Sequence, residues 1–503
     1  MDALFVNPDS SLEAYQGLAK NFSAIEPPTW SLLLAESCRS KGFGVGILDC
    51  DALRFSLEQS VQAIKDSCAR LIVFVLYGQN PNSGTTSMIG ALRLADAVKN
   101  AGIVSKICFV GSHVSALPKE TIAYSSVDLI LLNEGVYALH NLLASDLKDD
   151  LTKIKGIGWK EEGKIVINKP ERIVPQDRMD IDLPGYAWDL LPFNQKPLDL
   201  YRAHFWHAGF DFNQRTPFAA IYTSLGCQFA CNFCMINIVN RVDNGDEIDA
   251  SHSRGMRFWS PEWVRREMRK LANMGVKTLR ISDEMFFLNR KYYRPILDNC
   301  IDEQFGFNMW TYSRVDSVRP AMLEKFKNAG VNWLALGVEA GNQFVRQEVS
   351  KGSFKDVNIR EVCKTIQGSD INIISNYIFG FPDDTMDTMQ QTLDLALELN
   401  TEMANMYPCQ ALPGSPLYQT AKQKGWELPS KFEEFAFLSY DCKPVSTNNL
   451  SAADVLEFRD QAFNTYFSNP AYLNLVETKF GATERQNVVD MSKITLKRKL
   501  LGD

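Results

Sequence analysis

The sequence predicts an α/β protein: an N-terminal doubly wound, Rossmann-like domain, then a partial (β/α)6 barrel, then a mainly helical C-terminal segment. Three observations lead there. Five short apolar runs alternate with helical patterns in residues 1–150. Residues 216–425 carry six more strand–helix repeats, and alternation on that scale implies parallel strands joined by right-handed crossovers. Polar residues and cysteines gather where these strands end, which is where α/β proteins place their chemistry.

Taken in order, Ala3–Pro8, Val45–Asp49, Leu71–Tyr77, Lys106–Val110 and Val127–Leu132 read as strands. Trp30–Lys41, Leu57–Cys68 and Ser87–Ala101 read as the helices between them. The polar, glycine-containing loops Gly78–Gly84, Gly111–His113 and Asn133–Gly135 flank a crevice of the kind that holds a large ligand; a domain used only for contacts is the plainer alternative. Residues 151–215 read as a hairpin, Thr152–Lys169 turning at Glu161–Gly163, and a proline- and aspartate-rich linker, Pro170–Pro197. His204 and His207 have the spacing of a metal pair on a helix, but no carboxylate or cysteine stands beside them.

The barrel strands are Ala219–Leu225, Lys277–Ser282, Phe307–Tyr312, Trp333–Glu339, Ile371–Phe379 and Glu402–Gln410. Pro261–Met274, Pro320–Ala329 and Met386–Leu399 are helices among them. Residues 426–503 read as helices, Ala452–Phe467 most clearly, with Lys493–Leu501 as a basic, solvated helix end.

Composition excludes some functions. A net charge of −7 is too acidic for a protein whose main business is coating nucleic acid. No run approaches the roughly 18 unbroken apolar residues of a membrane helix. Met1-Asp2-Ala3-Leu4 does not open a signal peptide, and the eleven cysteines then read as reduced thiols in a cytoplasm.

Eight cysteines are scattered singly, where a free thiol behaves as a small hydrophobe. The other three stand as Cys227-x3-Cys231-x2-Cys234, directly after an apolar strand that ends in Gly226. On the residues alone three readings stay open: a structural zinc site still needing a fourth ligand, a group of unligated or redox thiols, or an iron–sulfur cluster with one open iron. Asp283-Glu284, Arg314, Glu339, Gly380 and Asp384 fall at the other strand ends. Each has a plain reading as a helix cap or a local ion pair.

The cysteine spacing after that strand is the signature that this chain shares with the radical S-adenosylmethionine superfamily. Leu336–Gly341, Asn376–Asp383 and Leu412–Leu417 resemble that family's fourth, fifth and sixth strand segments, in order over roughly 200 residues, although Ala340 stands where serine is more frequent. The resemblance implies a [4Fe-4S] cluster on Cys227, Cys231 and Cys234, with S-adenosylmethionine chelated to the open iron and cleaved to a 5′-deoxyadenosyl radical. By position, Ser282, Asp283 and Glu284 would meet the methionine amino group, Arg314 the carboxylate, Glu339 the ribose, and Phe233, Ile378 and Gly380 the adenine.

The first domain resembles the cobalamin-binding domain that precedes many such barrels, through Val6-Asn-Pro8, Gly111–Pro118 and Asn133–Gly135. The resemblance implies cobalamin contacts at Tyr77, Gly78, Gln79, Ser83, Gly111, Ser112, His113, Glu134 and Gly135. The loop after the first strand, Asp9–Ala14, lacks the histidine of the Asp-x-His-x-x-Gly motif. His113 is then either a cobalt ligand or a hydrogen-bonding residue.

Together these features imply a cobalamin-dependent radical enzyme that methylates an unactivated carbon of a small molecule. It would be supplied by an electron donor such as flavodoxin or ferredoxin and would use neither nucleic acid nor a membrane span. A non-methylating rearrangement or oxidation, and a zinc-bound scaffold without catalysis, are the alternatives.

Overall fold

The computed structural model describes residues 1–78, 81–147, 150–245, 248–349, 354 and 356–503. The first sheet is built from β1 (Ala3–Asn7), β2 (Val45–Asp49), β3 (Leu71–Leu76), β4 (Lys106–Gly111), β5 (Leu129–Leu131), β6 (Ile157–Glu161) and β7 (Lys164–Ile167). Its strand order is β2-β1-β3-β4-β5-β6-β7. The first five strands are parallel, and the last two pair antiparallel. Helices on both faces explain why β3 is apolar and buried at every position. The order reverses between β1 and β3, so the loops leaving those two strands diverge and open a crevice.

The hairpin expected in the linker instead extends this sheet. β5 has only three residues, and Ile157 and Trp159 of β6 are buried beside it, completing an edge too short to protect itself.

The second sheet comprises β8 (Phe218–Ile221), β11 (Thr278–Ile281), β12 (Asn308–Arg314), β13 (Val331–Glu339), β14 (Asn372–Phe379) and β15 (Met403–Pro408). They are parallel and adjacent in chain order, so the sheet curls as an open half-barrel with all C-terminal ends at one mouth. The strand expected over Ala219–Leu225 is split. After Ile221 the chain leaves the sheet, and the Thr223 N–H and hydroxyl and the Ser224 hydroxyl all donate to Asp283. Two-residue β9 (Ser224–Leu225) then pairs antiparallel with β10 (Arg257–Phe258).

His204 and His207 lie in a turn rather than on a helix. His207 exchanges hydrogen bonds with Asn308, whereas His204 faces Glu26 at 3.4 Å. Helices Ala452–Phe467, Pro470–Phe480 and Ala482–Ser492 close the C-terminal region. The segment after them is not a solvated helix. It runs irregularly to a single turn at Lys499–Leu501, and Arg498 is buried on Asp460 (2.8 and 2.9 Å) and the carbonyls of Phe437 and Ser439. No described helix is long and apolar enough to cross a membrane.

One ion pair pins the two sheets together. Arg280 of β11 is buried under the mouth, donates to Glu26 of the first domain (2.5 Å) and to the Tyr312 hydroxyl (3.1 Å), and lies over the Trp310 ring. Burial alone would raise the Glu26 carboxyl; Arg280 and His204 outweigh it and hold the group below the ordinary range. Removing one partner of such a pair strands a buried charge. Glu26→Gln should therefore lower unfolding free energy by about 3–5 kcal/mol in denaturant titration, with part of the loss recovered by adding Arg280→Met.

Candidate functional site

The cysteine loop is held from several directions. Gly226 has φ +85°, and a Cβ there would lie 2.3 Å from the Gly255 carbonyl oxygen, so only glycine fits. Asn237 brackets the next residue: its Oδ1 accepts from the Cys227 N–H (3.0 Å) and its amide donates to the Cys227 carbonyl (2.8 Å). Asn232 is bound to the backbone of Val349 and Leu417, which anchors the loop to the elements after β13 and β15. From the first domain, Asn82 accepts from the Met235 N–H (3.1 Å) and points its amide at the Cys234 sulfur (3.9 Å).

All three thiols line one cavity. Burial raises Cys227 to about 11 and Cys231 to about 12, with Glu339 and the Cys227 thiolate adding to the rise at Cys231. Among the described residues no three His, Cys, Asp or Glu side chains converge on a single ion. Three thiols on one loop at the cavity wall are a donor set that fits an iron–sulfur cluster held on one side and open toward the cavity.

The cavity holds about 580 Å³ and is lined by both domains. Strand ends of the barrel contribute Glu284, Arg314, Glu339, Asn376 and Ile378; the cysteine loop adds Phe233. From the first domain come Tyr15 and Leu18, on the loop after β1, and Asn82, Ser83 and Thr86, after β3. These are the two loops that diverge at the reversal of strand order.

Glu284 places one carboxyl oxygen in a buried position without a protein partner, and burial pushes its pKa up to about 8 against the pull of Arg280. Glu339 sits at φ +65° with its carboxyl folded over Gly337, where a Cβ would come within 2.5 Å of it; burial raises it to about 7. Arg314 is bidentate to Asp316 (2.9 and 2.5 Å) and is clamped between the rings of Phe229 and Phe354.

Other residues singled out from the sequence stand elsewhere. Ser282 is buried behind the turn, and Asp283 is occupied by Thr223 and Ser224. The Gly380 N–H donates to Asp384 (3.1 Å), and its α-carbon packs against Val455. Tyr77 stacks on Trp30 and donates to the Asn133 carbonyl. Gly78 turns at φ +59° against Ser83, and Gln79 lies outside the described residues.

Gly111 and Ser112 are packed against β3 and Gly84. Buried His113 meets Thr85 (3.1 Å) and the edge of Phe432, and burial drives its pKa down to about 3. Glu134 pairs with Arg257 and lines a second cavity of about 220 Å³ behind the cysteine loop; Gly135 begins the helix Val136–Ala144. Sequence reasoning missed Tyr15, Thr86 and the tail residues Met491, Ile494 and Leu496, which also line the main cavity. A strand-order argument would have found the first; no local signal marks the tail.

The chain matches the radical SAM superfamily profile over residues 221–396 and the B12 binding domain profile over residues 15–143. It is 26% identical over 396 residues, 77% of this chain and 78% of the relative, to an uncharacterized methyltransferase of Pyrococcus horikoshii. It is 23% identical over 492 residues, 95% of this chain and 80% of the relative, to the anaerobic magnesium-protoporphyrin IX monomethyl ester cyclase of Rubrivivax gelatinosus. Among solved structures, the radical S-adenosylmethionine methyltransferase TsrM from Kitasatospora setae, with cobalamin and a [4Fe-4S] cluster bound, superposes with a TM-score of 0.66. That match has 14% identity and covers 94% of this chain and 90% of the other.

Glu284 and Glu339 carry a pH signature. Both have folded pKa values above the ordinary 4.5, so the stability they confer is complete below about pH 4.5 and is lost as pH rises through about 7 and 8. The cofactor-free chain should lose about 3 kcal/mol or more across that window by this linkage, read as a falling thermal midpoint. Glu284→Gln with Glu339→Gln should flatten the curve.

Proposed function

We propose that the chain is a cobalamin-dependent radical S-adenosylmethionine enzyme that methylates an unactivated carbon of a small-molecule substrate, a reading supported by its matches to the radical SAM superfamily and the B12 binding domain and by its likeness to a methyltransferase. The observation that carries this reading is the single cavity shared by the three thiols and by the two loops at the strand-order reversal of the first domain. When bound, the cluster supplies the electron that cleaves S-adenosylmethionine, and the corrinoid carries the methyl group.

The chain's own residues bind, orient and shield. Cys227, Cys231 and Cys234 give up their protons to hold the cluster. Glu284 takes the methionine ammonium: a carboxyl kept protonated by burial ionises once a cation arrives beside it. Ser282 and Asp283 hold its turn from behind. Arg314, kept flat by two phenyl rings, faces the methionine carboxylate, and Glu339 faces the ribose hydroxyls. Phe233 and Ile378 flank the adenine, with Gly380 shaping the turn beside them.

Asn82, Ser83 and Thr86 meet the corrinoid. His113 does not reach it, because that ring is enclosed by Thr85 and Phe432. The aromatic walls keep water from reactive species.

Radical SAM enzymes need a reductant and a substrate. Here a flavodoxin or ferredoxin supplies the electron, the setting is the cytoplasm that keeps such thiols reduced, and nucleic acid is not the substrate. The likeness to a cyclase over 95% of the chain favours one second reading, a non-methylating radical reaction in the same cavity.

Anaerobic reconstitution should give about four irons per chain and one corrinoid. Replacing all three cysteines by alanine should abolish the iron and leave corrinoid binding. With substrate, 5′-deoxyadenosine and S-adenosylhomocysteine should appear together. 5′-Deoxyadenosine without S-adenosylhomocysteine would select the second reading, and stoichiometric zinc in place of iron would overturn both.

A further inference from the structure

Away from the cysteine loop, the cavity ends in a chamber built by three distant stretches of chain. Its wall includes Tyr15 and Phe22 of the first domain, Met406 of β15, Phe437, Phe463 and Ile494. These pieces are joined to one another. Gln16 donates to the carbonyls of Leu438 (2.7 Å) and Lys497 (3.1 Å) and accepts from the Lys497 N–H (3.2 Å). A Cβ on Gly17 would rest 3.5 Å from Ile494, and Tyr407 meets Phe437 edge to face at 5.0 Å.

The charges around this chamber are spent on each other. Arg459 donates to Asp460 (2.7 Å) and to the Met406 carbonyl (2.7 Å), and Asp460 also takes the buried Arg498. Among the described residues no lysine lines the cavity, and its two arginines, Arg314 and Arg459, each hold an aspartate. What remains for a ligand is mainly apolar surface with uncharged polar side chains set into it, among them Gln410, whose Oε1 is buried without a protein partner, and one polar ladder. On that ladder Asn376 Oδ1 accepts from Asn405 (3.0 Å) and from the Tyr407 hydroxyl (3.5 Å).

We infer that the substrate is an uncharged, mainly apolar, ring-bearing molecule seated between the loop after β1 and the C-terminal tail, with a single hydroxyl or carbonyl directed to the Asn376–Asn405–Tyr407 ladder. A phosphate, nucleotide or free carboxylate would be buried there without a counter-charge, which costs far more than the apolar contacts return. The inference rests on the proposed function only in assigning the cysteine end of the cavity to the cofactors.

A matched pair of probes separates the two chemistries: N-phenyl-1-naphthylamine, which is uncharged, and 1-anilinonaphthalene-8-sulfonate, which adds a sulfonate to the same skeleton. Equilibrium dialysis against the reconstituted full chain should show the uncharged probe bound roughly tenfold or more tightly than the sulfonate, given the cost of an unpaired buried anion. Asp460→Asn, which leaves two guanidiniums without their carboxylate, should narrow that gap. Phe463→Arg should narrow it as well, and it leaves the Asp460 network in place should the first variant fail to fold. Equal or tighter binding of the sulfonate by the wild type would overturn the inference, as would an unchanged ratio in a folded variant. Failure of the proposed function would show instead as missing iron or missing adenosyl products, with the probe ratio untouched.

Discussion

Everything at the mouth of the barrel depends on how the first domain is seated, and the buried Arg280–Glu26 pair fixes that seat. A guanidinium with no route to water must have its carboxylate in place, so the two sheets can dock in only a narrow range of positions. The Tyr312 hydroxyl and the Trp310 ring fill the remaining faces of the guanidinium. With the domains so registered, Asn82 reaches the cysteine loop from the neighbouring fold. The loops that diverge at the strand-order reversal then open onto the same space as the thiols.

The cavity is electrostatically quiet before anything binds. Its carboxyls are raised toward neutrality, its thiols are protonated, and its arginines are paired within the protein. Such a site gains charge only together with its ligands. On the proposed reading, a cluster would displace protons from the three cysteines and an arriving ammonium would draw one off Glu284. The empty protein would then carry little internal repulsion, and its desolvated attractions would form only with the ligands in place.

Most strands and the cysteine triad were legible because their signals are local: apolar runs bounded by glycine, and a spacing within eight residues. What stayed hidden was direction and long-range company. Asp283 and Glu284 are neighbours in sequence, yet in the turn that follows the strand one is used up inside the fold by Thr223 and Ser224 and the other meets the cavity. His113 stands on a crevice loop as expected, but a phenylalanine more than 300 residues later covers it. The hairpin's membership of the first sheet follows from the shortness of β5, a property of pairing rather than of composition. Arg498 sits in a basic stretch that looks solvent-facing until Asp460 is placed beside it.

The clasp between Gln16 and the strand-less tail has a bearing on biosynthesis. Ribosomes deliver both sheets and every cysteine of the loop before residues 491–498 emerge, so for that interval the mouth lacks its roof. The wall that this tail supplies is therefore the last part of the cavity to be built, and the clasp on Gln16 closes only after every other lining segment has been made.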